Sequence, residues 1–532
     1  MFFFRNVYDV IIIGGGISGL FSAYKLSRTG LNILIIEANP NFGGRIQTAE
    51  KNGLTYECGA ARFHDSHTKL LTLIDELNLT DKIVTLPKEI KLILRGCKKK
   101  FPYKTDNELS LLDLLKNSVK VKDNYERKNL QNITFFQYLV NVYDHETASF
   151  IKDAFGYDSE FIYLNADAAI EMFEDDLLSK GEYHTLVGGL SQIMEKIEGK
   201  LKKCPNVEII KGLKVKEIFD DHILIGEDNY YFKNLICAVP QKSLKQFQYF
   251  KDHDQIDSVR GSPLLRIYAK YPTKGLWFKG IKRTTTDNHI RHIIPIDYKT
   301  GLIMVSYTDG EYAKMWSKLH ANGDEYLIKS IHKEIKSLFG IEPPKPEFIS
   351  VHYWNEGLHL WNPGITMDYS YQKMLKPFQD KNIFVCGEAF SRKQGWIEGA
   401  LETCYDILKI LPVLEENGIE VEFDSELIEY DEDNEIVIKY MTIEEVLEEG
   451  DNELLIIEVG KERRIYDVSK WIPLHPGGSA IFTGIGANMY YLTKDLHKKS
   501  PTHLFKELHS NDVFEKYFLK ENDFVKQVGI LK

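Results

Sequence analysis

Residues 7–13 form an almost unbroken apolar run that stops at three glycines, Gly14, Gly15 and Gly16. A run without polar alternation predicts a strand buried on both faces. Leu20, Tyr24 and Leu26 then recur at helical spacing across residues 14–27, and residues 32–36 are a second apolar run. The chain is therefore predicted to open with a strand–helix–strand unit of an α/β sheet. Farther along, helical spacing recurs near 70–77 and 189–201. Short strands are predicted at 207–210, 214–219, 222–225 and 234–239, the last stopping at Pro240. Residues 262–271 and 300–307 read as further strands. Residues 382–386 read as an apolar strand before Gly387, with a helix from Glu398 to about residue 411.

The pattern breaks at Pro412. Between Glu415 and Glu435 there are eleven Asp or Glu and no Lys or Arg, which equals the whole net charge of -11. Like charges so close together repel, so residues 412–440 read as an acidic linker with some strand-like content at 436–439. The rest of the chain is near neutral, which argues against a nucleic-acid partner. A compact unit is expected from 441 to 532, opened by Thr442 and Glu445 at capping-box spacing. The six cysteines, Cys58, Cys97, Cys204, Cys237, Cys386 and Cys404, contain no CxxC pair. That pattern suits free thiols in a reducing compartment. No apolar run approaches the roughly 20 residues of a membrane helix, and Met1-Phe2-Phe3-Phe4 is too short for a signal segment. The expectation is a soluble, intracellular, cytoplasmic protein with no membrane span.

Candidate chemistry begins at the first turn. Gly14-x-Gly16-x-x-Gly19, with Ile17 and Ser18 inside it, lies between a strand and a helix. Glycines there permit a tight turn and close approach of backbone to a pyrophosphate at the helix N-terminus. Glu37, followed by Ala38, ends the second strand, where a carboxylate can accept from ribose hydroxyls and disfavours a 2′-phosphate. The fingerprint alone leaves FAD and NAD open.

Gly43-Gly44-Arg45 follows, then Glu57-Cys58-Gly59-Ala60-Ala61-Arg62-Phe63-His64, Val187-Gly188-Gly189-Leu190, and residues 382–403, NIFVCGEAFSRKQGWIEGALET. Together these motifs resemble the flavin-containing amine oxidoreductase superfamily, which includes monoamine and polyamine oxidases, protoporphyrinogen oxidase and carotenoid desaturases. The resemblance covers about residues 7–411. It implies a Rossmann-like FAD domain (about 1–85, 206–260 and 376–411) interleaved with an α+β substrate domain (about 86–205 and 261–375). It also implies that Val215 meets the adenine by backbone contact. Glu388 would lie near the ribityl and phosphate region and Trp396-Ile397-Glu398 at the isoalloxazine, with Gly387 and Gly395 also counted as cofactor-binding. FAD would be non-covalent, because no cysteine falls where monoamine oxidases bond it. The expected chemistry is hydride removal from a small amine-like substrate.

Two departures from the family stand out. Where amine oxidases often place a lysine near flavin N5, Arg266 stands here, and Lys270 is the nearest lysine. Arginine is no base at neutral pH. Trp396 fills one position of the aromatic pair that sandwiches an amine, and its partner is expected at His359 or Trp361.

Residues 441–532 resemble a small α+β cytochrome b5-like domain, with strands at 454–459 and 464–467, then Val468-x-x-Trp471 and His475-Pro476-Gly477-Gly478. The resemblance implies haem b with His475 as one axial ligand. Family spacing puts the second at His497, with His503 and His509 as rivals, because Gly486-Ala487-Asn488 departs from the usual Gly-x-Asp. Two histidines on iron favour electron transfer. The sequence thus reads as an FAD-dependent oxidoreductase of amine oxidase type whose electron acceptor is oxygen or its own haem. A flavin desaturase or dehydrogenase acting on a C–C or C–O bond, and a non-catalytic redox-fold scaffold, remain as alternatives.

Overall fold

The computed structural model describes residues 7–94, 111–174 and 181–416, and beyond them the strands Lys439–Met441, Leu454–Val459, Glu462–Asp467 and Lys526–Leu531. The chain divides into two compact units, Met1–Glu426 and Leu427–Lys532.

The first unit is built on two sheets. In the seven-stranded sheet, Val7–Ile13 lies between Ile33–Glu37 and Asp228–Cys237, parallel to both. Val207–Lys211 extends one side. On the other, His222–Ile225 and Val215–Ile218 pair antiparallel, and Ile383–Val385 joins Asp228–Cys237 in parallel. Val10, Ile11 and Ile12 are wholly buried, as an apolar run without alternation requires. Each such side chain contributes about 1.5–3 kcal/mol on burial. Helix Ile17–Leu26 covers one face with all ten residues buried, and Lys25 among them is neutralised by Glu76 at 2.6 Å. It packs on helix Ile397–Lys409, with the rings of Phe21 and Tyr405 stacked 5.2 Å apart.

The six-stranded sheet runs Phe348–Trp361, Val259–Lys270, Leu302–Asp309, His292–Asp297, Thr284–Thr286 and Lys91–Ile93. Strand periodicity sorts its residues. Leu265, Ile267 and Ala269 enter a core shared with Trp316, Leu327 and Ile331 from helices Gly310–Ala321 and Asp324–Phe339. Arg266 and Tyr268 take the opposite face, where both donate to the Glu57 carbonyl. The fourteen-residue strand Phe348–Trp361 was not anticipated, because its burial does not alternate.

Beyond residue 411, Pro412–Glu416 is a short helix whose Val413 and Leu414 are buried in the first unit's core. Residues 417–438, the bulk of the expected linker, lie outside the described residues. In the second unit the order is Lys439–Met441, Lys526–Leu531, Glu462–Asp467, Leu454–Val459; the first pair is parallel and the others antiparallel. His475, His497, His503 and His509 lie outside the described residues, so the haem-ligand expectations meet no geometry here.

Candidate active site

At the first turn, Gly14 has φ +107, and a Cβ there would sit 2.4 Å from the Ala238 carbonyl oxygen. A Cβ on Gly19 would sit 1.9 Å from the Gly14 oxygen. These two glycines let strand and helix close on each other. Gly16, the N-cap residue of helix Ile17–Leu26, differs: a Cβ there meets nothing within 4 Å, so the backbone opens onto free space at the helix N-terminus. Gly44, with φ +56, comes close to Gly16, and Gly43 donates to the Gly15 carbonyl at 2.9 Å.

Glu37 lies beside this opening, buried, while Ala38 is exposed. One carboxylate oxygen accepts from Gly15 N and the other from Asn39 N and Nδ2, all at 2.7 Å. The oxygen facing Gly15 retains a lone pair for a hydroxyl. Val215 is buried at the start of an edge strand, and Phe63 is wholly buried in the core. Ser18 reaches the Ala400 carbonyl at 3.5 Å, and Gly387 N donates to Thr403 Oγ1 at 2.8 Å. The two distant motifs thus meet through neighbouring helices.

Glu388 is the junction of the site. Its carboxylate accepts from Arg45 Nη1 at 2.6 Å, from His359 N at 2.7 Å and from Gly395 N at 2.9 Å, with His359 Nδ1 also at 2.9 Å. Burial opposes its charge, but Arg45 and His359 outweigh that and hold it well below the usual carboxylate range.

Gly395 leads into Trp396, the extended N-cap residue of helix Ile397–Lys409. Two residues on, Glu398 turns back to accept from Lys69 N at 3.0 Å and Leu70 N at 2.9 Å. It therefore caps helix Thr68–Glu76 from a distant part of the chain and fixes the Trp396 backbone. The Trp396 ring lies 4.8 Å from His67, edge-on, and 6.0 Å from Tyr183 at an interplanar angle of 18°. The Arg62 guanidinium lies over both Tyr183 (4.7 Å) and Trp396 (5.7 Å). Ala61, its neighbour, is partly buried.

The expected aromatic partner of Trp396 is displaced. His359 and Trp361 are 0% and 1% exposed. The first is held by Glu388; the second donates its indole N–H to Ser391 O at 3.1 Å and meets Phe390. The last four residues of their strand, Leu358 to Trp361, are buried, and neither ring joins Trp396. The ring that stacks there is Tyr183, on a short strand whose sequence carries no family signature.

Arg266 and Lys270 also separate. Arg266 is buried, donates to Glu57 O at 3.0 Å and lies 4.5 Å over the Tyr307 ring. Lys270, at the strand's end, pairs with Glu347. Among the described residues, no ring or ion-pair contact joins Lys270 to Trp396.

The sequence profile described as flavin containing amine oxidoreductase matches residues 17–405. A chloroplast/mitochondrial protoporphyrinogen oxidase 2 of Arabidopsis thaliana is 37% identical, but over 14% of each chain. Achacin of Lissachatina fulica is 22% identical, over 74% of this chain and 91% of its own. Among solved structures, a putrescine oxidase redesigned for cofactor binding superimposes with a TM-score of 0.61 at 18% identity, covering 76% of this chain and 99% of that one. With its profile match spanning most of the chain, the protein belongs to the flavin-containing amine oxidoreductase family and is an FAD-dependent oxidoreductase.

Proposed function

We propose that the first unit holds FAD non-covalently and oxidises a small amine-like molecule against Trp396. The observation that carries this reading is the meeting of both motifs at one opening. Gly16 leaves free space at a helix N-terminus beside Glu37, and Glu388 ties Arg45, His359 and Gly395 together on the same side of the fold. The buried His359 Nε2 has no hydrogen-bond partner among the described residues. Such an orphan suits a polar atom of a bound group.

When bound, FAD supplies a two-electron acceptor. The chain's own groups bind, orient and exclude water. The helix N-terminus at Gly16 would meet phosphate and Glu37 the ribose, while Trp396 and Tyr183 would wall the substrate side. Arg266 keeps a fixed positive charge and moves no proton. That last point favours a second reading, a desaturase or dehydrogenase acting on a C–C or C–O bond.

The second unit is proposed to carry haem b on His475 and one of His497, His503 and His509, as a one-electron partner of the flavin. An absorption spectrum of the purified full-length protein, before and after anaerobic dithionite, tests both halves. A flavin band that acid releases into solution, plus a Soret band that sharpens on reduction, supports the whole reading. No flavin band sinks the first half; no Soret band sinks the second.

A further inference from the structure

Helices Thr68–Glu76 and Ile397–Lys409 pack together, and the start of each depends on the other. His67 is the N-cap residue of the first helix, yet its side chain makes no capping hydrogen bond. An N-cap side chain ordinarily accepts from the second or third helical N–H. Here those donors, Lys69 N and Leu70 N, go to the Glu398 carboxylate at 3.0 and 2.9 Å. Glu398 lies in the first turn of the second helix, whose own N-cap residue is Trp396.

This exchange releases the His67 ring for another contact. It lies 4.8 Å from the Trp396 ring at an interplanar angle of 66°, an edge-on arrangement that aromatic pairs favour. A turn fixes the imidazole in its place. His67 Nδ1 accepts from His64 N at 3.3 Å, and His67 N donates to His64 O at 3.0 Å.

The His64 ring stands 6.2 Å from His67 and 5.0 Å from Tyr183, its partner across the strands. Tyr183 in turn stacks on Trp396 at 6.0 Å. Four rings therefore close a circuit: Trp396, His67, His64 and Tyr183. His67 and His64 are wholly or almost wholly buried, whereas Trp396 and Tyr183 are partly exposed. Behind His64 there is no slack, since a Cβ on Gly181 would sit 2.7 Å from His64 Cε1. Removing a ring from so closely packed a group leaves a void into which its neighbours shift.

We propose that His67 is a positioning residue for Trp396: its buried imidazole fixes the tilt of the indole against Tyr183. This rests on the reading of Trp396 as the wall that flavin and substrate meet. His67 acts through the indole and not on the reacting atoms. The ring is the acting part, and the Nδ1 hydrogen bond holds that ring in place. Asparagine can accept from His64 N but brings no ring to Trp396. Phenylalanine brings a ring and no acceptor.

The test is fluorine NMR of the flavin-loaded full-length protein with 5-fluorotryptophan at its six tryptophan positions. Trp396→Phe assigns the Trp396 signal by its loss. In His67→Ala and His67→Asn that signal alone is expected to move and broaden, and in His67→Phe to return towards its wild-type position. The proposal is overturned if the signal stays in place in His67→Ala, or if signals throughout the protein move with it. It is equally overturned if His67→Asn restores the signal and His67→Phe does not, which would give the role to the turn. Should His67→Ala fail to fold, the comparison of His67→Phe with His67→Asn decides.

Flavin emission from the same samples tests the underlying reading by itself. An indole against an isoalloxazine quenches flavin emission by electron transfer, so Trp396→Phe is expected to brighten the bound flavin. Unchanged emission in Trp396→Phe would sink the reading of Trp396 as the flavin wall, whatever the fluorine signals say of His67.

Discussion

Arg45 and Glu388 stand 343 positions apart in sequence and meet at 2.6 Å. The contact joins the loop after the second strand to the loop before helix Ile397–Lys409. Glu388→Gln leaves Arg45 and His359 facing a neutral amide, and breaking a buried charged cluster of this kind costs about 2–4 kcal/mol. Urea denaturation of the variant checks the loss.

The same carboxylate carries a pH signature. Its pKa is depressed in the folded state, so its contribution is full above the ordinary carboxylate range and is lost as pH falls through the lower folded value. Wild-type stability is expected to decline below about pH 4.3, the unfolded value for glutamate. Glu388→Gln flattens that acid limb. Two parallel curves from pH 6 to 3 would contradict the assignment.

Gly16 and Gly19 offer a paired contrast. Gly19→Ala drives a methyl to 1.9 Å from the Gly14 oxygen, and the chain is expected to fold poorly or not at all. Gly16→Ala meets nothing in the protein, so its stability should stay within about 0.5 kcal/mol of wild type. Yet the methyl would enter the space assigned to phosphate, and flavin content after purification should fall sharply. Retention of full flavin by Gly16→Ala would move the cofactor elsewhere.

Lys270 is held by Glu347 at a partly exposed strand end. Lys270→Met is predicted to change stability by less than about 1 kcal/mol, as for surface ion pairs. It is also predicted to leave unchanged the rate at which oxygen reoxidises dithionite-reduced flavin. Arg266→Met, which removes a buried cation beside Tyr307, is predicted to change that rate. Stopped-flow absorbance on both variants separates the two roles.

His475→Ala is expected to abolish the Soret band while leaving the flavin band intact. Repeating the spectrum with His497→Ala, His503→Ala and His509→Ala identifies the second ligand as the variant that alters the reduced haem peaks.

The nucleotide half of the fold was legible because its signals are local. An apolar run buried on both faces, glycines that admit no Cβ and an acid at a strand end each declare themselves within a few residues. The substrate half was not. Phe348–Trp361 pairs along nearly the whole of Val259–Lys270 with a register shift between Ser262 and Leu264, and that break blurs any alternation. His359 was expected as a partner of Trp396, yet its ring is buried against Glu388, 29 positions away, with Nδ1 2.9 Å from the carboxylate. Tyr183 belongs to a short strand with ordinary composition, and its approach to Trp396 and Arg62 is purely a matter of tertiary structure.

The pairing order of the first sheet also bears on how the chain is made. Val7–Ile13 is synthesised before its partners, one of its two neighbours is Asp228–Cys237, and that strand in turn takes Ile383–Val385 as a partner. The nucleotide sheet therefore stays incomplete until nearly all of the first unit has been synthesised, and contacts this distant in sequence form slowly. A nascent chain stalled before Ile383 would expose part of an apolar strand edge, the kind of surface that chaperones hold and that aggregates recruit.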